Sequence, residues 1–330
     1  ESLLAADEPP PVNLKLLFEG EEESSSAHVI RFVKENKARL RADVCLVSDG
    51  SMPHPDQPLL VYGLRGIVEM ELTVTGPRRD LHSGHYGGSV HNPIQALAEI
   101  LAELHDGDGR VTVPGFYDDV LPLTDEERAA LSDIQPYIEA EWKTFTGAPA
   151  PWGEPDYRLH ERLSARPTLE FNGIAGGFYG PGFKTVLPAQ AMAKISCRLV
   201  PRQDPRRIYQ LVRDTIALVT PPTVRSEVRL LGDGAPGVLL DRDTPAMQAA
   251  IRAYEKGWGV RPILARGGGS VPVVAALQQG LGVPLALMGY AYKGGGAHGP
   301  NEYAILDMLY KGLDTTIHFC QAFAALHRGV

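Results

Sequence analysis

Four carboxylates fall within five positions in the stretch "FEGEEESSS": Glu19, Glu21, Glu22 and Glu23. Carboxylates this close repel one another unless something positive sits among them. One reading is a solvated turn whose acids suit the start of a helix. The other is a site that faces a cation, with one carboxylate on the ion and a second taking a proton from bound water, as metal-assisted hydrolysis requires. Asp49 in "VSDG" is a further acid, though Asp before Gly is also an ordinary turn. His298 lies in the Gly- and Pro-bearing loop "GGGAHGPNE". In "RGGGS", residues 266–270, a glycine-rich turn enters a helix, and such a turn offers backbone N–H groups to an anion. It lacks the lysine and spacing of a P-loop, so a substrate carboxylate suits it better than a nucleotide. The stretch "RRDLHSGHYGGSVHNP" brings His82, His85 and His91, without the helical or finger spacing of a zinc site. Taken singly, each of these has a bland reading as a turn or an idle loop residue.

The surrounding pattern says which elements carry them. Residues 12–18 form a short apolar run that reads as a buried strand ending at the acidic cluster. Residues 24–26 are placed to cap a helix with Val29, Ile30, Val33 and Leu40 as its apolar positions. Residues 43–47 read as a second strand, ending at Asp49, so the order suggests a βαβ unit with its acids at strand ends. The style then changes. Residues 67–75 alternate as a long strand, and "NPIQALAEILAEL" is a helix with Pro93 in its first turn and Ile94, Leu97, Leu101 and Leu104 along one stripe. Residues 106–166 read as irregular except for a short helix with a capping-box pattern at 124–127. "PTLEFNGI", "MAKISCRLV" and "EVRLL" read as strands, with a helix near 204–219. From about 236 the α/β style returns: a helix at 244–257, the strand "RPILA", the helix "VPVVAALQQ", the strand "VPLALMGY" and a long closing helix. The expected architecture is an α/β domain, residues 1–64 and 236–330, with a mixed sheet flanked by helices. It is interrupted by an α+β domain at 65–235 built on an antiparallel sheet.

Bulk properties agree with an enzyme-sized globular chain. Its 330 residues suggest about two domains, with 44% apolar and 22% charged residues. The net charge of −8 argues against a nucleic-acid partner. Three dispersed cysteines, Cys45, Cys197 and Cys320, make neither a disulfide framework nor a thiolate zinc site, and point to a reducing, cytoplasmic setting. No apolar run is long enough for a membrane span. The start, "ESLLAADEPPPVN", has no basic n-region and reads as the tail of a helix plus a loop.

As a set, in order along nearly the whole chain, these segments are more specific than any one. Through "FEGEEESSS", "VSDG", "YGLRGI", "DLHSGHYGGSVHNP", "GFYDDVLPLTDEER", "FKTVLPAQAMAKISCRLVP", "RGGGSVPVV" and "AHGPNE" the chain resembles the co-catalytic zinc metallopeptidases. That family includes carnosinase-like dipeptidases, aminoacylase, acetylornithine deacetylase and succinyl-diaminopimelate desuccinylase. The long "DLHSG…GG" and "KTVLP…RLVP" stretches resemble the dipeptidase branch. The resemblance implies that Glu22 is the general base and Glu23 a metal ligand, and that Asp49 and His298 each complete one of two metal sites. It implies two divalent ions, zinc, with manganese or cobalt as alternatives. His82 matches a lid-domain histidine that, in family dimers, reaches the partner's active site and polarises the scissile carbonyl. Thr185 and Arg198 match residues that bind the substrate's carboxylate end or backbone. Gly269 and Ser270 match the turn that contacts substrate. The inserted segment matches a lid and dimerisation domain, so a homodimer and a small peptide substrate are implied.

Two departures stand out. The family's His-x-Asp motif, and its Asp before a Lys-Gly or similar pair, supply one metal ligand and the carboxylate that bridges both metals. Neither occurs here, and both would precede Glu1. The chain is therefore expected to be a piece lacking its first portion, inactive by itself. Second, "YKGGGAHGPNE" has glycines where dipeptidases often carry an acidic pair. That bears on metal or substrate preference and leaves His298 in place. The rival expectations are a deacylase of N-acyl amino acids with the same fold, and a non-catalytic homologue that uses the inserted domain for association.

Overall fold

The alternation in "GIVEMELTVT" becomes a strand in the computed structural model, which describes residues 10–24 and 26–327. Gly66–Thr75 buries Val68, Met70, Leu72 and Val74 on one face and turns Glu69 and Glu71 to the other. It pairs on both sides in a four-stranded antiparallel sheet ordered Thr168–Gly176, Gln190–Leu199, Gly66–Thr75, Arg225–Ala235. The helices Pro93–Ala102 and Pro205–Val219 pack on this sheet and share its apolar core. Both begin with proline behind a side-chain cap: Asn92 accepts from the Ile94 N–H at 3.0 Å, and Asp204 from the Arg207 N–H at 2.8 Å. Of the expected stripe, Leu97, Leu101 and Leu104 are buried, joined by Ile100, whereas Ile94 is exposed. These elements form one compact unit, Arg65–Pro122 with Pro149–Gly237.

The other unit comprises Glu1–Leu64, Leu123–Ala148 and Val238–Val330. Its five-stranded sheet is mixed. Cys45–Val47 runs parallel to Leu285–Met288, which is antiparallel to Leu59–Leu64. Leu59–Leu64 then pairs in parallel with Ile263–Arg266 and antiparallel with Val238–Leu239. The helix Pro245–Trp258 packs along Leu306–His327, and Ala27–Glu35 packs on Pro272–Leu281.

Four expectations are corrected here. Residues 12–18 form no strand: Leu14, Leu16, Leu17 and Phe18 are exposed, Phe18 by 86%. Apolarity alone does not make a strand without a ladder partner, and the segment is instead tied through Lys15 Nζ to the Arg39 carbonyl at 3.0 Å. The expected βαβ unit therefore has only its helix and its second strand. The first helix ends at Glu35, where the Asn36 N–H and side-chain amide both bond the Phe32 carbonyl, so Leu40 lies beyond it. In the stretch 106–166 the expected short helix is present as Asp125–Leu131, capped by Thr124, but Gln135–Thr146 and Leu159–Ser164 make the stretch more helical than its composition suggests. Leu123–Ala148, expected in the inserted domain, folds into the first unit because Leu131 and Ile134 are buried in that unit's core.

Candidate active site

The acidic cluster forms a single 3-10 turn, Glu22–Ser24, before the helix Ala27–Glu35. Ser26 stands at the cap position in left-handed backbone (φ 56), and its hydroxyl makes no capping bond, unlike the expectation. The turn is closed from the other side. The Ser26 N–H donates to the Glu21 carbonyl at 3.0 Å, and Glu21's carboxylate lies 2.6 Å from His28 Nδ1. That hydrogen bond holds Glu21 below the usual carboxylate range.

Glu22 is the opposite case. It is half-buried, and its pKa is raised, first by burial and then by the charges of Glu23, Asp49 and Glu19, with His298 opposing. Those causes place the acidic turn, Asp49 and His298 in one neighbourhood. His298 Nε2 lies 3.4 Å from Glu23 Oε1, both side chains largely exposed. Asp49 reaches this position because the "SDG" turn meets the strand Leu285–Met288 at two glycines. A Cβ on Gly289 would fall 2.1 Å from the Gly50 backbone, so only glycine allows the approach. His298 itself has φ 63 in a loop whose Gly299 N–H donates to the Gly296 carbonyl at 2.9 Å.

The donor chemistry, carboxylates beside an imidazole, fits a divalent cation, and the repulsion that raises Glu22 is what such a cation would relieve. The donors meet as a pair, Glu23 with His298. Among the described residues no three His, Cys, Asp or Glu side chains converge as a metal-binding group.

The "RGGGS" turn leaves the strand Ile263–Arg266 through a register shift at Arg266. The Gly267 N–H donates to the Gly63 carbonyl at 2.7 Å. Gly269 has open space around its Cα, and Ser270 leads into the helix Pro272–Leu281. An anion could approach this backbone without meeting a side chain at Gly269.

The remaining candidates lie on the second unit. His82 Nδ1 accepts the Gly84 N–H at 3.0 Å. A backbone N–H can only donate, so Nδ1 carries the lone pair and Nε2 the proton. Nε2 faces Thr185 Oγ1 at 3.2 Å, so the pair His82 and Thr185 offers a hydrogen-bond donor in a shallow depression that Asp80 and Lys184 also line. His85 stacks near His82 with ring centroids 4.7 Å apart, while His91 is engaged elsewhere, with Thr223 at 2.7 Å and Glu99 at 3.3 Å. Arg198 projects from Gln190–Leu199 on the polar face of the sheet, opposite Cys197 and Leu199. Beside it is Arg65, which sequence reading passed over in "YGLRGI". Burial, then the Arg198 charge, push its pKa down to about 10, with Glu170 opposing. It stays a cation at neutral pH.

The architecture, a mixed-sheet unit interrupted by a unit built on an antiparallel sheet, is that of metallopeptidase structures. Residues 62–224 match the peptidase dimerisation domain of the M20 family. The Cys-Gly metallodipeptidase DUG1 of Candida albicans is 33% identical over 88% of this chain and 61% of its own length. The Beta-Ala-His dipeptidase of Homo sapiens is 29% identical over 90% of this chain and 59% of its own. The solved structure of the dipeptidase Dug1p from Saccharomyces cerevisiae superposes with a TM-score of 0.83 at 29% identity, covering 98% of this chain and 68% of that one. The chain belongs to the M20 metallopeptidase family, on its dipeptidase side. It spans about three-fifths of the length of these curated relatives.

Proposed function

We propose that the protein hydrolyses the peptide bond of dipeptides or short peptides with Glu22 as general base. The observation that carries this is Glu22's own surroundings: a carboxylate raised first by its burial and then by three neighbouring acids, beside a Glu23 and His298 pair. A base poised above the ordinary carboxylate range accepts a proton more readily near neutrality. Divalent cations, zinc by family, would be held by Glu23, Asp49 and His298; when bound they acidify a water and draw charge from the scissile carbonyl. Glu22 takes the water's proton and passes it to the leaving amine. By the family resemblance, the Nε2–H of His82, fixed in that tautomer by Gly84, would donate to the oxyanion developing in the partner subunit's active site, the term that usually dominates acyl transfer. Thr185 and Arg198 on the second unit would bind the substrate's carboxylate end or backbone, and the turn at Gly269 and Ser270 on the first would contact the free carboxylate, which favours short peptides over internal bonds.

The second unit's match to a dimerisation domain supports a homodimer. So do exposed apolar side chains on its edge strand, such as Ile174 at 62% exposure. Among the described residues no helix is long and apolar enough to cross a membrane, and the three free cysteines support a reducing, cytoplasmic setting. The deciding experiment is a substrate panel. Dipeptides are expected to turn over and N-acetyl and N-succinyl amino acids to be poor. The reverse preference would make the protein a deacylase.

A further inference from the structure

The helical stretch Leu123–Ala148 has an assignable task within the first unit. Its first helix, Asp125–Leu131, packs against the strand Ile263–Arg266. Thr124 caps that helix by accepting the Glu127 N–H at 3.1 Å, which fixes Glu127 in the first turn. The Glu127 carboxylate then accepts three hydrogen bonds on Oε1: from Arg266 Nε at 2.8 Å, Arg266 Nη2 at 2.6 Å and the Tyr62 hydroxyl at 2.8 Å. The ion pair is nearly dry, with side-chain exposures of 4% for Arg266 and 12% for Glu127. Burial, then the bond to Glu127, push the Tyr62 phenol up to about 12, so it remains a donor. Arg266 is also the residue at which the strand slips register into the glycine turn. Its side chain lies across Gly63, where a Cβ would come 3.2 Å from Arg266 Cγ. The turn is thus pinned by a backbone bond, Gly267 to Gly63, and by a buried side-chain pair. The second helix of the stretch, Gln135–Thr146, makes a lesser link: Glu141 lies 2.7 Å from Lys293, at the start of the 293–295 turn that leads to His298. Both partners of that link are partly exposed.

We infer that Leu123–Ala148 is a bracket for two site loops, and that Glu127 is a positioning residue for substrate binding. It acts through Arg266 on the turn that carries Gly269 and Ser270, while Glu141 acts more weakly through Lys293 on the His298 loop. This rests on the proposed reading that the turn holds the substrate's carboxylate. Breaking the buried pair strips the guanidinium of its partner and removes one of the two ties named above on the turn that departs at Arg266.

The test is steady-state dipeptide hydrolysis by the intact, metal-loaded protein, with thermal unfolding alongside. Glu127→Ala is expected to raise KM about ten- to hundredfold, the worth of one or two charge-assisted hydrogen bonds, with kcat within about twofold. Glu127→Gln keeps an oxygen at Oε1 and is expected to restore most of the affinity. Because Glu127→Ala strands a buried cation, the double variant Glu127→Leu with Arg266→Met removes both charges and keeps the volume. Its Tm is expected to stay near that of the parent while KM stays raised. Glu141→Ala is expected to move KM by less than about threefold. A parental KM in the double variant overturns the inference, as does a Glu127→Ala protein that loses only kcat in step with lost folded material. Ser270→Ala separates the two levels. If it raises KM while the double variant does not, only the positioning role fails. If neither changes KM, the reading of the turn as a substrate contact fails with it.

Discussion

The two units hold their candidate residues by different means. In the second, Arg198 sits on a ten-residue strand paired along its length on both sides, and the ladder determines which face of the sheet it takes. In the first, the strands run two to six residues, and Glu22, Glu23, Asp49, Ser270 and His298 all lie in turns beyond strand ends or at helix entries. There the backbone is aimed by close glycine contacts, by left-handed positions such as His298, and by side-chain pairs. A ladder gives rigidity at the cost of adjustability. Groups that must close around an ion or a substrate are better served by turns that a few specific contacts restrain.

That contrast can be broken by stability measurements, taken here from the largest expected effect downward. Leu72→Ala, in the centre of the second unit's core, is expected to cost about 2–5 kcal/mol in denaturant unfolding. Phe18→Ala in the first unit's exposed apolar run is expected to cost less than about 0.5 kcal/mol. Comparable losses would mean that residues 12–18 are packed after all. Gln203→Ala is expected to cost about 1–3 kcal/mol, because it leaves the buried Phe116 carbonyl and Val200 N–H without their partner. The helix caps should be blind to the difference between units. Asp204→Ala in one and Thr244→Ala in the other are each expected to cost about 1 kcal/mol, and a cost confined to one unit would show separate unfolding. Asp233→Asn, which removes an exposed partner of Arg206 at 2.8 Å, is expected to change stability by less than about 1 kcal/mol.

What the sequence disclosed follows the same division. Strands of the second unit are legible because period-two alternation survives wherever one face is buried, as in Val68, Met70, Leu72 and Val74. The helices read near 204–219 and at 244–257 are present, and each opens on a cap residue followed by proline, Asp204 and Thr244. The run at 12–18 misleads because apolarity reports a wish to be buried and not the presence of a neighbour. Residues 123–148 mislead because, beyond the capped helix at Asp125–Leu131, the helix Gln135–Thr146 shows weak periodicity, and because which core receives Leu131 is a long-range fact. At the site, Glu22, Glu23, Asp49 and His298 could be picked out from motif order, but nothing local couples Glu127 to Arg266, 139 positions apart, or Arg65 to Arg198. Pairs of that kind exist only once the chain has folded.

The central claim is that Glu22 moves the proton while Glu23 belongs to the ion. Glu22→Gln in the intact protein tests it, with metal content by mass spectrometry after dialysis and turnover of a dipeptide on the same sample. The account predicts parental metal content with turnover lower by about 10²–10⁴-fold. Hydrolysis at near the parental rate would contradict it.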